Sequence, residues 1–541
     1  MLRQAVLLPF LLLACATAGI RKFPDRPVAW EEHDDVHVPV APARADWQKN
    51  LVTYGIDAFL VRESDRLFRL EPWLPAKDVN ALDEVPCSTW FCPRNHLVPL
   101  SPDEVAAGPP RAEPPCPPFT VVEAHRVERL PGWLVVLDAR GVRYMFKFDP
   151  LGSPGLSTGP EIVTQKLVYA AGYNVPGAFL LRVRPDEFRL SKTATVTLHG
   201  FEETSFTADR FRGFLAAVGR SDEGRIRVAC IPWLPGQNVG VFDFQGTRAD
   251  DPNDRIPHQH RRSLRASYVL FSWLGHVDVK PDNTLDAYVE RAGRRFVRHF
   301  FVDFNSSLGA VTHRAKAPQR GQEWFVEMGR TLQAMASLGA VQRDWQRQRP
   351  PWESAWSDEL GWFPDQDWQP DGFRTNLKVA AHLRMTDRDA YFGAKLVTSF
   401  SDEQIEAAVA TAGYSERAGR ALVHALERRR AAVGRRYLLP MTAVETPWLR
   451  EGELCFRDLA VERGFLNPPT YEFAVRDEHG TLIASGLRPA IGATSCVPVP
   501  KTPYAVVSVR SRVGTSVAKA AYVHVRRRGA GFVVAGLERD E

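Results

Sequence analysis

Apolar residues recur along this chain with two different periods, and the changes of period mark out its elements. Leu134 to Leu137 and Val142 to Phe148 alternate apolar and polar positions around Asp138-Ala139-Arg140-Gly141, which predicts two strands joined by a glycine turn. The next segment, EIVTQKLVYAAGY, takes the helical period, with Ile162, Leu167, Val168 and Ala171 on or near one face. Strands are expected near Phe179 to Arg184 and Arg225 to Leu234, and the apolar spacing of His258 to Leu274 predicts a helix. From Glu323 to about Arg436 the pattern stays helical, clearest in FVEMGRTLQAMASLG, DRDAYFGAKLVTSF and SDEQIEAAVATAGY, where Ser401 and Gln404 form a capping box. After Pro447 the period drops to two. TYEFAVRDEHGTLIASGL reads as a hairpin around His479-Gly480, and YAVVSVRSR and AAYVHVRRR as further strands, together an antiparallel β-sandwich of about 90 residues.

The N-terminal part carries less periodicity. Ile20 to about Lys77 is rich in proline and charge and reads as a tether packed partly on the body, followed by DEVPCSTWFC and the proline linker SPDEVAAGPPRAEPPCPP, which forbids regular structure. Before it, Arg3 precedes an apolar run from Ala5 to Ala14, too short to span a bilayer and of the length of an export signal. Leu12-Leu13-Ala14-Cys15 resembles a bacterial lipobox, which makes Cys15 the lipidated first mature residue, a membrane anchor, and predicts an outer-membrane lipoprotein facing the periplasm or the surface. Cleavage after Ala16-Thr17-Ala18 is the alternative. With Cys15 either lipidated or cleaved away, six other cysteines remain, an even number that in an oxidising compartment points to disulfides. Cys87 and Cys92 are near enough to close a small loop and Cys455 with Cys496 would staple the C-terminal module, although the sequence alone does not fix the pairing; zinc lacks a C-x-x-C or a nearby histidine pair.

The 541 residues, 44% hydrophobic and 25% charged, suffice for two or three domains with real cores. The net charge of +5 is mild and its basic residues are dispersed apart from Arg428 to Arg430 and Arg526 to Arg528, so nucleic acid is not an expected partner.

Chemistry concentrates in two stretches. Gly275 to Tyr288 reads GHVDVKPDNTLDAY, placing His276, Asp278, Lys280 and Asn283 in the pattern H-x-D-x-K-x-x-N, and an apolar run then ends at Asp303-Phe304-Asn305. Upstream, Lys147 sits among Met145, Phe146 and Phe148, where a charged side chain needs a partner, and Glu161 on the following helix is a candidate. Taken one at a time, Asp278 and Asp282 could be turn residues beside Pro281, Asp303 a strand cap, and Glu161 a first-turn acid. His258 and His260, at i, i+2, do not share a helix face.

Order and spacing of Lys147, Glu161, Asp278, Lys280, Asn283 and Asp303 resemble the atypical kinase-like superfamily, which includes HipA-type, spore-coat and secretory-pathway kinases. The resemblance covers roughly residues 120 to 440 and departs from protein kinases in two places: Pro131-Gly132 stands where a G-x-G-x-x-G loop would, and Asn305 replaces the glycine of D-F-G. It implies an α+β fold with a two-lobed kinase-like domain, an N-terminal extension and the C-terminal sandwich. The expected boundaries are 1–18 signal, 19–118 extension and linker, 119–224 small lobe, 225–446 large lobe and 447–541 sandwich. It also implies ATP or another nucleotide with Mg²⁺ or Mn²⁺: Lys147, held by Glu161, at the phosphates; Asn283 and Asp303 on metal; Asp278 at an acceptor hydroxyl on a protein or small molecule; Lys280 at the migrating phosphoryl group. Asn305 tolerates a left-handed backbone at the missing glycine, and Asp278 and Asp303 are expected to be buried like charges that need metal. An envelope holds little ATP, so the alternative is a pseudokinase lipoprotein that scaffolds an envelope assembly.

Overall fold

The structure, a computed structural model, describes residues 20–45, 55–64, 74–110, 113–127, 130–198, 203–221, 223–347, 359–529 and 531–541. The export run, Cys15 and the alternative cleavage site lie outside these residues. The fold is mixed α+β. Among the described residues no helix is long and apolar enough to cross a membrane.

A seven-stranded sheet collects the alternating segments of the first half. Its strands are β1 (Phe119–Val127), β2 (Leu130–Leu137), β3 (Arg143–Phe148), β4 (Phe179–Val183), β5 (Phe188–Thr197), β6 (Glu203–Ser205) and β7 (Ile226–Pro232), in the order β4-β7-β3-β2-β1-β5-β6. All neighbours are antiparallel except β1 and β5. Because β7 joins this sheet, the sheet extends past residue 224. Val121, Leu134, Phe146, Phe148, Phe214 and Val228 form the apolar layer beneath it.

Behind the sheet lies α1 (Thr158–Ala171), which begins three residues before Glu161. It is not amphipathic: every residue but Tyr169 is buried, so the face expected from Ile162, Leu167 and Val168 is one side of a helix enclosed all round. Next come the two-residue β8 (Gln237–Asn238) and α2 (Arg262–Leu274), preceded by a 3₁₀ turn at His258–His260 rather than by more α-helix. His258 bonds the Asp254 carboxylate at 2.8 Å and His260 meets Arg265 at 3.0 Å, so both are satisfied core side chains. The hairpin β9 (Thr284–Arg291) and β10 (Arg294–Phe301) pairs with β8 in a small sheet. A third strand pair is β11 (Ala310–Val311) with β12 (Arg314–Ala315). Helices α3 (Asp387–Val397), α4 (Asp402–Ala410) and α5 (Glu416–Tyr437) pack with α2 around Trp273, Phe392, Leu422 and Leu426. The Ser401 capping box on α4 is formed, its hydroxyl accepting from Gln404 N and the Gln404 side chain accepting from Ser401 N.

The last strands make two sheets. One is β13 (Val444–Arg450), β14 (Glu453–Asp458) and, in order β13-β14-β17, the later β17; the other is β15 (Thr470–Asp477), β16 (Leu482–Pro489), then β18 to β21. Here β17 is Thr494–Pro498, β18 Tyr504–Val513, β19 Ser516–Val517, β20 Ala521–Arg528 and β21 Gly531–Arg539. Val444, Leu454, Phe456 and Val497 from the first sheet share an apolar cluster with Tyr471, Val507 and Val523 from the second.

Both expected disulfides are present. Cys455 and Cys496 are direct cross-strand partners in β14 and β17, and Cys87–Cys92 closes a tight loop. Cys116 and Cys230 belong to neither bridge. That tight loop is more than a staple, since it drives Trp90 and Phe91 into the helical core, where Trp90 stacks on His299 at 3.5 Å between ring centres and Phe91 meets Tyr173 and Phe392. The tether is also more than a spacer. Phe23 N donates to Tyr504 Oη on β18 while Val38 N donates to Arg295 O on β10, so one stretch of chain touches both the C-terminal strands and the β9–β10 hairpin.

Candidate active site

Lys147 lies in β3 with Trp133 of β2 and Ala229 of β7 as its cross-strand neighbours, and it is only 5% exposed. A buried ammonium needs acceptors, and it has two: Glu161 Oε2 at 2.9 Å and Asp303 Oδ1 at 2.6 Å. Burial works against its charge, but the Asp303 and Glu161 carboxylates outweigh burial and hold the ammonium well above the ordinary lysine range. Asp303 shows the complementary effect: burial pushes it up, Lys147 more than cancels this, and the carboxyl ends below the usual carboxylate range.

Glu161 is fixed on every side. Its Oε1 accepts from Gln165 Nε2 at 2.6 Å, one helical turn on, and its Oε2 also accepts from Phe304 N at 2.9 Å. Gln165 in turn accepts from Gly177 N and Ala178 N. The helix, the strand and the loop after Asp303 are therefore tied through one carboxylate.

The segment 275–283 turns sharply after α2, where Gly275 takes the left-handed conformation that ends the helix. Asn283 Nδ2 donates to Asp278 O at 2.6 Å and to Asp278 Oδ2 at 3.0 Å, and Lys280 Nζ lies 3.2 Å from the same Oδ2. Val302 N donates to Asn283 O and Val277 N to Ser306 O, which lock this loop to the Asp303 loop. His276 anchors the arrangement from below. It is buried against Phe271 and Phe304, and burial pushes its imidazole down to about 4, so the ring is neutral at ordinary pH. The six residues singled out in the sequence thus fall into two linked groups, Lys147–Glu161–Asp303 and Asp278–Lys280–Asn283.

Two expectations are corrected. The left-handed backbone falls on Asp303 itself, with φ +62°, and not on Asn305, so the strain that aims the carboxylate sits on the charged residue. Nor are Asp278 and Asp303 fully buried: their side chains are 22% and 40% exposed, and each is paired with a lysine. Their burial therefore does not by itself require a metal.

The donor set nevertheless suits one. Asp303 is open on one side, and the Asn283 amide oxygen is a second hard donor; Mg²⁺ and Mn²⁺ take one or two such protein oxygens and fill the remaining positions with phosphate and water. Among the described residues, the one tight cluster of His, Cys, Asp and Glu atoms is Glu453, Cys455 and Cys496, whose sulfurs are joined in a disulfide, so zinc has no site there.

The β1–β2 hairpin comes near the carboxylates of the site. His125 in β1 feels the charges of Asp282 and Asp303, although burial, the larger influence, pushes its ring below the usual histidine range. Gly132 is required here for close approach, because a Cβ would fall 2.1 Å from His125 O. Sequence reasoning missed Asn376 and Arg320. Asn376 Nδ2 donates to Asp278 Oδ1 at 3.1 Å and Arg320 Nη1 donates to Asn376 Oδ1 at 2.8 Å. No motif marks them; they are ~100 and ~40 residues from Asp278, and only the folded loops bring them together.

Comparison with models of known protein families, with curated proteins and with solved structures finds no match.

Proposed function

We propose that this chain is an exported, kinase-like phosphotransferase that moves a phosphoryl group from a metal-bound nucleotide to a hydroxyl acceptor. The observation that carries the reading is the bridge from Glu161 through Lys147 to Asp303, locked by backbone hydrogen bonds to the loop that holds Asp278, Lys280 and Asn283. In this reading the seven-stranded sheet with α1 is the small lobe, the helices from α2 to α5 the large lobe, residues 19–118 an extension, and the two C-terminal sheets a β-sandwich. The lipobox at Cys15 anchors the protein to the outer membrane.

When bound, Mg²⁺ or Mn²⁺ neutralises charge on the transferring phosphate. Asp303 and Asn283 are the residues that would hold it. Lys147 leaves Asp303 for the nucleotide's phosphates while Glu161 keeps its Nζ in place, an exchange of one anion for another that costs little because the carboxylate it leaves is half open to water. Asp278, oriented by Asn283 and Asn376, accepts the proton of the acceptor hydroxyl as its oxygen bonds to phosphorus and the P–O bond to the leaving diphosphate breaks. Lys280 balances the charge that develops on the moving group.

The test is a melting experiment with ATP and Mn²⁺ or Mg²⁺. Ligand at about 100 times its Kd adds roughly 2.7 kcal/mol to the folded state, so the melting temperature should rise with both components and less with either alone. Asp303→Ala should remove the shift; Asp278→Asn should keep it and lose transfer. No nucleotide-dependent shift in the parent protein would leave the pseudokinase scaffold as the function.

A further inference from the structure

Directly beside the Asp278 loop lies a cavity of about 530 Å³. Arg320, which reaches Asp278 through Asn376, is on its wall, and so is Gly321, whose missing Cβ would sit 3.5 Å from Val277. Four indoles line it: Trp324, Trp345, Trp362 and Trp368. Three of the rings are held by cations, Arg374 over Trp324 at 4.9 Å, Lys316 over Trp362 at 5.6 Å and Arg429 over Trp368 at 3.8 Å, so the flat faces are rigid before any ligand arrives.

The charge of the wall is positive. Lys316, Arg320, Arg330, Arg374 and Arg429 face three acids, Glu323, Glu327 and Asp367. Glu323 is taken by Arg343 and Glu327 by Arg330. Among the described residues no carboxylate pairs with Lys316, although it is 4% exposed, and burial with the nearby Arg429 pushes its amine down to about 7. Two further buried polar atoms on the wall, Glu323 Oε1 and Trp345 Nε1, have no hydrogen-bond partner among the described residues. An unsatisfied donor, an unsatisfied acceptor and an amine without a carboxylate, set among four indoles, mark a built site, not a packing gap.

We propose that this cavity is the acceptor subsite and takes an anionic saccharide, one bearing a carboxylate or a phosphate, with one of its hydroxyls offered to Asp278. A sugar ring presents C–H faces to the indoles and hydroxyls around its edge to Glu323 Oε1 and Trp345 Nε1; a flat aromatic anion would fill the first role and leave the second unmet. The anionic group lies at Lys316 and Arg320. The acceptor role rests on the phosphotransferase reading above, whereas binding does not.

The experiment titrates the full chain with glucuronate, glucose 6-phosphate, glucose and benzoate, read by tryptophan fluorescence, alongside the ATP–Mn²⁺ melting shift. Glucuronate or glucose 6-phosphate should quench or shift the emission and bind at least about tenfold more tightly than glucose, the factor that separates a charge-assisted contact from a neutral one. Which of the two binds better distinguishes carboxylate from phosphate as the anchor. Lys316→Met should remove that preference and leave the ATP–Mn²⁺ shift intact; Trp345→Phe, which keeps the ring and loses the N–H, should weaken every sugar. A normal ATP–Mn²⁺ shift with no response to any sugar would overturn the proposal and leave the phosphotransferase reading standing. Benzoate binding as well as glucuronate would overturn the saccharide class. Lys316-dependent sugar binding without an ATP–Mn²⁺ shift would support the site and remove its role as acceptor subsite.

Discussion

Two clusters of charge in this molecule use the same residue types to opposite ends. The first ties the body together: Arg539 of β21 meets Asp83 at 2.6 Å and Glu445 of β13 at 2.9 Å, Lys395 of α3 meets Glu445 at 2.6 Å and also Glu84, and Arg262 of α2 joins Asp83 to Asp389. It links the N-terminal segment, two helices and the C-terminal strands, and most of its side chains are at or below 10% exposed. The second, Lys147–Glu161–Asp303, has a closed end at Glu161 and an open end at Asp303. An enclosed network pairs its charges with one another and can only hold. A network with one open carboxylate leaves one of its members within reach of solvent.

The sharpest way to break the comparison is to remove one member of the closed cluster. Glu445→Ala leaves Lys395 and Arg539 buried with too few acceptors and Tyr391 without the carboxylate its hydroxyl donates to, so urea unfolding should show a loss of about 3–5 kcal/mol with an unchanged slope. A loss below about 1 kcal/mol would mean that water reaches the cluster.

Lys316 tests a third case, a buried amine with no acid partner among the described residues. Its folded value of about 7 lies below the ordinary lysine value of 10.5, so between those pH values the unfolded chain binds more protons than the folded one. Stability should therefore rise with pH across that window, and the penalty is fully present below about 7. Lys316→Met should flatten this part of the profile and stabilise the protein by about 2–4 kcal/mol at pH 6, measured by denaturant titration. A parallel profile in the variant would show that Lys316 keeps its proton without penalty.

The open cluster should respond most weakly and most unequally. Lys147→Met strips a buried carboxylate of its cation and should cost about 1–3 kcal/mol, whereas Asp303→Asn, at a half-exposed position, should cost about 0–1 kcal/mol. Equal losses would mean that Asp303 is as structurally committed as Glu161, and the contrast between the two ends would fall.

Much of this was legible in the chain. Period-two alternation placed β2, β3, β15 and β16, the Ser401 capping box placed the start of α4, and the Cys455–Cys496 pairing followed from both cysteines lying in one strand-rich module. Lys147 and Glu161 could be nominated because a charged residue inside an apolar strand needs a partner, whereas Asp278, Lys280, Asn283 and Asp303 were nominated by the resemblance of their spacing to kinase loops. Periodicity placed α1 but not its full burial, since the helix is enclosed on all sides and its second face is buried as well.

What the sequence by itself determined, then, was local: strand or helix, cap or turn, and which side chains carry chemistry. Tertiary structure alone decided which of those side chains meet. Asp303 joins Lys147 across 156 residues of chain, Asn376 and Arg320 reach Asp278 from loops with no motif, Trp90 enters the core from a disulfide loop, and Asp83 closes on Arg539 across 456. No periodicity records such meetings, since they depend on how whole elements stack and not on spacing along any one of them. The left-handed turn at Asp303 belongs with them, because it is held by Glu161 and Lys147 from other elements against the preference of its own backbone.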